Sequence, residues 1–223
     1  MADAKIRLSS EEMELVLNSG WILTKNTVLQ KVNDLLVQVL EVQQALLPLF
    51  TGHLPAAVIN VSPKISRGDQ YRGLPWLMLD HPRCFGRDAT FAIRTFFWWG
   101  NYMSVTLQLS GIYQLQYGPA LQAALPLLQQ EGWLLATGES AWEHHVEEQN
   151  YTALTSLDSR QFTIACGQPF LKLVKLHSLK AWDQLTGQLT DDFGRLLSAL
   201  TGISYRGGET GLLPGGPRGG FDL

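Results

Sequence analysis

Between Thr27 and Leu47, apolar side chains recur at alternating steps of four and three residues: Val28, Val32, Leu35, Val39, Val42 and Leu46. Leu29, Leu36, Leu40 and Leu47 broaden this stripe. A stripe of that width predicts a long helix packed on a sheet, because a coiled-coil seam is narrower. Pro48 ends it, since proline cannot donate to the helical ladder. Upstream, Ser9 and Glu12 form a capping-box pattern ahead of Met13, Leu15 and Val16, and Asn18-Ser19-Gly20 closes a short helix near residues 10–18.

The period changes to two between Phe91 and Gly111, FAIRTFFWWGNYMSVTLQLSG, where aromatic and β-branched residues crowd on both sides of Gly100-Asn101. That dipeptide suits a two-residue type II′ hairpin turn, which would pair Trp99 with Tyr102 and Arg94 with Leu107. Alternation then sorts the side chains. One face takes Ala92, Phe96, Trp98, Met103, Val105, Leu107 and Leu109 with Arg94 as its single charge. The other takes Phe91, Ile93, Thr95, Phe97 and Trp99 with Tyr102, Ser104, Thr106 and Gln108. This second face is too apolar to meet only water and too polar for a plain core. It is expected to be covered by a helix or a second subunit, or to form a ligand groove.

Elsewhere the pattern predicts a strand within 56–65, placed at an edge by Pro63, and another over Leu74–Leu79, with a polar loop from Arg67 to Gly73 between them. A helix is expected over 119–131, broken by Pro126. Short strands follow at 133–136, 142–147, 162–166 and 170–176, then a helix from Leu179 to Leu200 that ends at Gly202. Strands in succession without βαβ alternation predict an α+β fold: a largely antiparallel sheet with a long N-terminal helix, a mid-chain helix and a C-terminal helix. Residues 1–203 are read as a single domain, and the Gly- and Pro-rich residues 204–223 as a mobile tail.

Composition narrows the partners. With 223 residues, 45% hydrophobic and 17% charged, and a formal net charge of −3, the chain is globular and poorly suited to electrostatic capture by nucleic acid or an acidic membrane. Cys84 and Cys166 are too far apart in sequence to suggest a disulfide framework or a zinc ribbon. No secretion signal or membrane span is legible, so the expectation is a cytoplasmic protein.

Chemistry is sparse. Lys64, Arg67, Arg72, Arg83, Arg87 and Arg94 stand against Asp69, Asp80 and Asp88, making 64–94 a basic stretch in an acidic chain. Guanidinium forks beside glycine loops suit a small anionic ligand, and Arg67, Arg72, Asp80, Arg83, Arg94, Trp99 and Tyr102 are the candidate binding residues. The opposing reading is internal ion pairing. Arg94, turned toward an apolar face, needs a partner, and Asp80 on the neighbouring strand is the one expected. Asp80-His81-Pro82-Arg83-Cys84 holds the atoms for thiol chemistry, although sequence neighbours rarely converge on one reacting atom.

His144, His145 and Glu147, within Glu143-His144-His145-Val146-Glu147-Glu148, are the alternative metal ligands, with His177 as a further donor from another strand. No cofactor motif is present, and none is expected. Three functional readings remain. The first is a non-enzymatic module whose hairpin face binds a protein partner or a second copy. The second is a metal-dependent enzyme acting on a small anion. The third is a carrier for a small apolar molecule.

Overall fold

A computed structural model describes residues 6–205 and Gly207. It shows an α+β protein built on a seven-stranded antiparallel sheet, with long helices at both ends of the described chain. The strands are β1 (Lys64–Tyr71), β2 (Leu74–Phe85), β3 (Thr90–Trp98), β4 (Tyr102–Ser110), β5 (Leu134–Ala136), β6 (Tyr151–Ala153) and β7 (Phe170–Ser178), in the order β1-β2-β3-β4-β7-β5-β6. The helices are α1 (Ser10–Leu17), α2 (Ser19–Leu46), α3 (Ala56–Ile59), α4 (Gly111–Ala123), α5 (Leu125–Gln130), α6 (Ser159–Cys166) and α7 (Leu185–Thr201). The stretch expected to be a mobile tail lies outside the described residues from 206 onward, Gly207 apart.

Ser9 caps α1 through the capping box with Glu12. Asn18-Ser19-Gly20 does not end the helical region. Asn18 is a non-helical joint whose side chain caps α2, so the long helix starts eight residues earlier than its stripe suggested. Gly202, at φ 74°, ends α7 in the left-handed conformation that glycine adopts without a Cβ penalty.

The hairpin register differs by one residue from the two-residue turn. Trp98 pairs with Tyr102, Phe96 with Ser104, Arg94 with Thr106 and Ala92 with Gln108, which leaves Trp99-Gly100-Asn101 as a three-residue loop. The loop is closed by Asn101 N–H donating to Trp98 C=O at 3.1 Å, with Gly100 at φ 72°. A one-residue slip reassigns every side chain opposite it. Phe91, Ile93 and Phe97 now share a face with Met103, Val105, Leu107 and Leu109, all of them buried. Arg94, Phe96 and Trp98 share the other face with Tyr102, Ser104, Thr106 and Gln108. This register segregates polarity better than the expected one, because no charge is left on the apolar face, where Thr95 is the one polar side chain of the hairpin.

That apolar face carries the main core. One continuous cluster joins it to Val32, Leu36 and Val39 of α2, Tyr117 and Leu121 of α4, and Leu189, Phe193 and Leu197 of α7. These helices satisfy their own backbone groups and therefore need nothing from the sheet but apolar contact.

Four other expectations are corrected. Residues 56–59 are helical, and the edge strand is the polar stretch 64–71, whose charges suit an edge that must not recruit another strand. Residues 159–166 form a helix rather than a strand, started by an Asp158/Gln161 capping box. The mid-chain helix begins at Gly111 and includes Pro119, and the break falls at Ala124, ahead of Pro126. Residues 142–147 are neither strand nor helix.

Candidate functional site

The polar-aromatic face of the sheet is covered by the chain itself. Residues 137–150 cross it without regular structure, and such a segment brings with it a row of backbone groups that cannot satisfy one another. The sheet supplies the missing partners. Tyr71 Oη accepts from His144 N–H at 2.7 Å and from His145 N–H at 2.9 Å. Tyr102 Oη accepts from Val146 N–H at 2.9 Å and donates to His144 C=O at 3.0 Å. Lys172 Nζ donates to Ala141 C=O at 3.0 Å and also to Glu143 C=O, which takes a further bond from Tyr151 Oη at 3.2 Å. Asn150 closes the end of the segment through Glu147 N–H at 2.8 Å and His145 C=O at 3.0 Å. The hydroxyls and the ammonium of this face are thus partners for a loop, which explains its mixed polarity.

Arg94 lies beneath this cover. Its Nε stands 2.8 Å from Asp80 Oδ1, directly across the β2–β3 pair, and both side chains are almost fully buried. Its guanidinium lies over the rings of Phe85 at 4.8 Å and Trp142 at 5.1 Å. Burial pushes the Asp80 carboxyl above its usual range against the pull of Arg94, and burial likewise lowers the Arg94 guanidinium. Lys172 is pushed down to about 7, chiefly by burial and further by Arg94. His144, set against Phe96 and Tyr71, is lowered to about 3 by burial and then by the charges of Lys172 and Arg94, so it is neutral.

The remaining candidates do not converge on a ligand. Arg72 pairs with Glu147 at 2.5 Å on the surface, and Arg83 Nε donates to Ser62 C=O at 2.9 Å. Trp99 meets Trp21 edge-to-face at 6.4 Å, away from Arg94. Arg67 lines a separate cleft beside α2. Tyr102 belongs to the support of the loop.

The metal candidates are committed elsewhere. The Tyr71 hydroxyl accepts two backbone bonds, so its proton goes to His145 Nδ1 at 2.8 Å, which occupies that lone pair. Glu147 is held by Arg72. His177 lies on the helix side of the sheet, with Nε2 2.6 Å from Asp192 and Nδ1 3.2 Å from Gln188. Among the described residues, no group of three His, Cys, Asp or Glu side chains is placed to hold a metal ion.

The Asp80–Cys84 stretch is likewise split by the sheet. Asp80 faces the loop side. His81 faces the helices, stacks on Phe193 at 6.3 Å and reaches Gln43 at 3.3 Å, with burial lowering it to about 4. Cys84 receives the Tyr113 hydroxyl at 3.5 Å.

A cavity of about 570 Å³ opens between β5, α6 and the start of β7, lined by Leu135, Ile164, Pro169 and Phe170 with Thr137 and Gln161. Sequence reasoning missed the loop's supports, although Lys172 carried a signal: a charge between Leu171 and Leu173 in a strand otherwise fit for burial on both faces.

It also missed the most exposed apolar feature. None of the residues of α1 is buried, and α2 buries nothing before Val32. At 28 residues, α2 is ~42 Å long, whereas the nine-residue β3 spans ~30 Å, so its first turns overhang the sheet near the hairpin tip, where Trp21 meets Trp99. Met13, Leu15, Val16, Leu17, Trp21, Ile22 and Leu23 on this arm are 39–77% exposed. Comparison with protein-family models, curated proteins and solved structures finds no match for this chain.

Proposed function

We propose that this chain is a non-catalytic association module: an α+β scaffold that presents its N-terminal helical arm to a protein partner. The observation that carries this reading is the exposure of seven large apolar side chains within residues 13–23, a stretch whose single charge is Glu14. They lie along both helices of the arm, and a run of large apolar side chains left this exposed marks an interaction surface. Half-exposed side chains of this kind leave ~5–10 kcal/mol of burial free energy unrealised, which a partner can supply. Three glutamates in α1 with no basic residue beside them disfavour a membrane surface, where interfacial helices carry lysine and arginine.

The earlier candidate surface, the polar-aromatic face of the hairpin, is a weaker choice, because residues 137–150 already occupy it. The reading is tested by placing a photoreactive benzoylphenylalanine at Leu23, and at exposed Glu148 as a control, in cells producing the full chain. A protein adduct of discrete mass at position 23 and none at 148 is expected. Equal, diffuse labelling at both positions would remove the basis for an arm-borne interface.

A further inference from the structure

Resting on that reading, we infer that the arm's partner is a second copy of this chain, with α1 of each copy seated in the cleft between α2 and β1 of the other. The cleft measures about 550 Å³ and is lined by Lys25, Leu29, Gln30, Arg67 and Trp76. It combines an apolar floor with positive charge. Lys25 is paired with Asp69 at 3.1 Å, while Arg67 has no ion-pair partner among the described residues. Leu77, on the same face of the sheet as Arg67, closes the bottom of the cleft, while the Trp76 indole lies over Gly68 and against Phe96 on the opposite face.

The element that complements this cleft is α1. Its charges are Glu11, Glu12 and Glu14, and Glu12 is already engaged by Ser9. Glu11 and Leu15 stand one turn apart and share a face, with Glu14 at its margin. That face brings carboxylates to Arg67 and a leucine to Leu29.

Self-recognition follows from the position of the two features. The acidic apolar helix and the basic-walled cleft lie on successive parts of one arm, so a two-fold axis makes both contacts at once, as an isologous dimer requires. Burying what is still exposed of the arm's apolar side chains removes roughly 200–400 Å² of apolar surface per copy, a quarter to a half of the ~800 Å² per partner of a stable interface, and the polar contacts around the cleft supply the remainder.

The test uses light scattering and sedimentation equilibrium on the full chain and on two reversed-charge variants, Glu11→Lys/Glu14→Lys and Arg67→Glu. The wild-type chain is expected to dimerise, and each variant alone to dimerise about tenfold or more weakly, because like charges then face each other. An equimolar mixture of the two variants restores both matched contacts and is expected to recover heterodimers at wild-type strength. Leu15→Ser, which keeps every charge, should also weaken the dimer and thereby separates loss of contact from any loss of helix in the lysine variant.

A wild-type chain that stays monomeric at all concentrations, or a dimer indifferent to these substitutions, or a mixture that fails to recover, overturns the exchange. Should position 23 nevertheless yield an adduct whose mass is not twice that of the chain, the arm serves a different protein. The association reading then stands without self-exchange.

Discussion

Replacing Lys172 with methionine separates what its charge costs from what its hydrogen bonds contribute. In the folded protein burial lowers this amine to about 7, whereas in the unfolded chain it titrates near 10.4. Between those values the unfolded state binds one proton more than the folded state, so stability rises with pH by about 1.4 kcal/mol per pH unit. The penalty is complete below pH 7, fades across the window and is gone above the unfolded value. Wild-type protein is therefore expected to gain nearly 3 kcal/mol between pH 7.5 and 9.5.

One other group acts in that window: burial raises the Cys166 thiol, so the unfolded thiol ionises first and subtracts stability there, in wild type and variant alike. His81 and His144 have finished titrating below it, and Tyr102, raised to about 12 by burial, begins to subtract stability only as the unfolded tyrosine ionises near 10. Lys172→Met should remove the slope. It also strips the donor from the carbonyls of Ala141 and Glu143; Glu143 keeps the Tyr151 hydroxyl, so ~1–3 kcal/mol is lost at Ala141. The variant should thus be the more stable at pH 7 and lose that advantage by pH 9.5. Urea unfolding at half-unit pH steps measures this directly. A wild-type curve flat from 7.5 to 9.5, or the same rise in both proteins, would refute the assignment of a strongly depressed amine at this position.

The histidines give the acid counterpart. His81 and His144, held neutral by burial, contribute stability that is full above pH 6.5 and falls as pH drops toward 4 and 3. The two together should give a loss of roughly 5 kcal/mol between pH 6.5 and 4.5, and His144→Phe should remove about half of that slope in thermal or urea unfolding. Arg94→Met strands a buried carboxylate and is expected to destabilise by ~3–5 kcal/mol, while adding Asp80→Asn recovers most of the loss; additive losses in a double-mutant cycle would dismiss the ion pair as the cause. Deleting Trp99 leaves Gly100-Asn101 as a two-residue loop between the same pair, Trp98 and Tyr102. Cross-strand NOEs between Phe96 and Ser104 should persist, at a cost of ~1–2 kcal/mol for the lost contacts with Trp21 and Phe97, whereas their disappearance would show that the register depends on the longer loop.

Signals that act within one element were dependable, and signals that depend on what packs against it were not. The stripe from Val28 to Leu47, the capping box at Ser9, and the chain stops at Pro48 and Gly202 all have counterparts in the structure, because each reflects packing or backbone geometry acting locally. The Asp80–Arg94 pair was also legible, since a lone guanidinium in an apolar strand demands a carboxylate within reach. The register of the hairpin was not. Gly100-Asn101 fits either a two- or a three-residue loop, and the choice is made by the helices, which require an apolar, uncharged face from Phe91 to Leu109. The 142–147 segment failed for a related reason: its alternation of Trp, His and Val resembles a strand, but its backbone is satisfied by Tyr71, Tyr102 and Lys172, residues up to 75 positions away that no local pattern connects to it.

This division of labour between the two faces follows from what covers each. A helix arrives with its backbone bonds made and asks for apolar surface, whereas an irregular segment arrives with open N–H and C=O groups and is stable against a sheet only if that sheet offers donors and acceptors at matching positions. Here Trp142 through Glu147 each donate their amide to a named acceptor, three of them to tyrosine hydroxyls of the sheet. The aromatic rings beneath provide the burial and their hydroxyls the hydrogen bonds, which is why tyrosine, and not phenylalanine, stands at 71 and 102. By the same logic the polarity of the arm is informative. Its helices have closed their own backbone bonds and display leucine, valine, isoleucine and tryptophan outward, so what they lack is a covering apolar surface, and that lack is the ground of the association proposal.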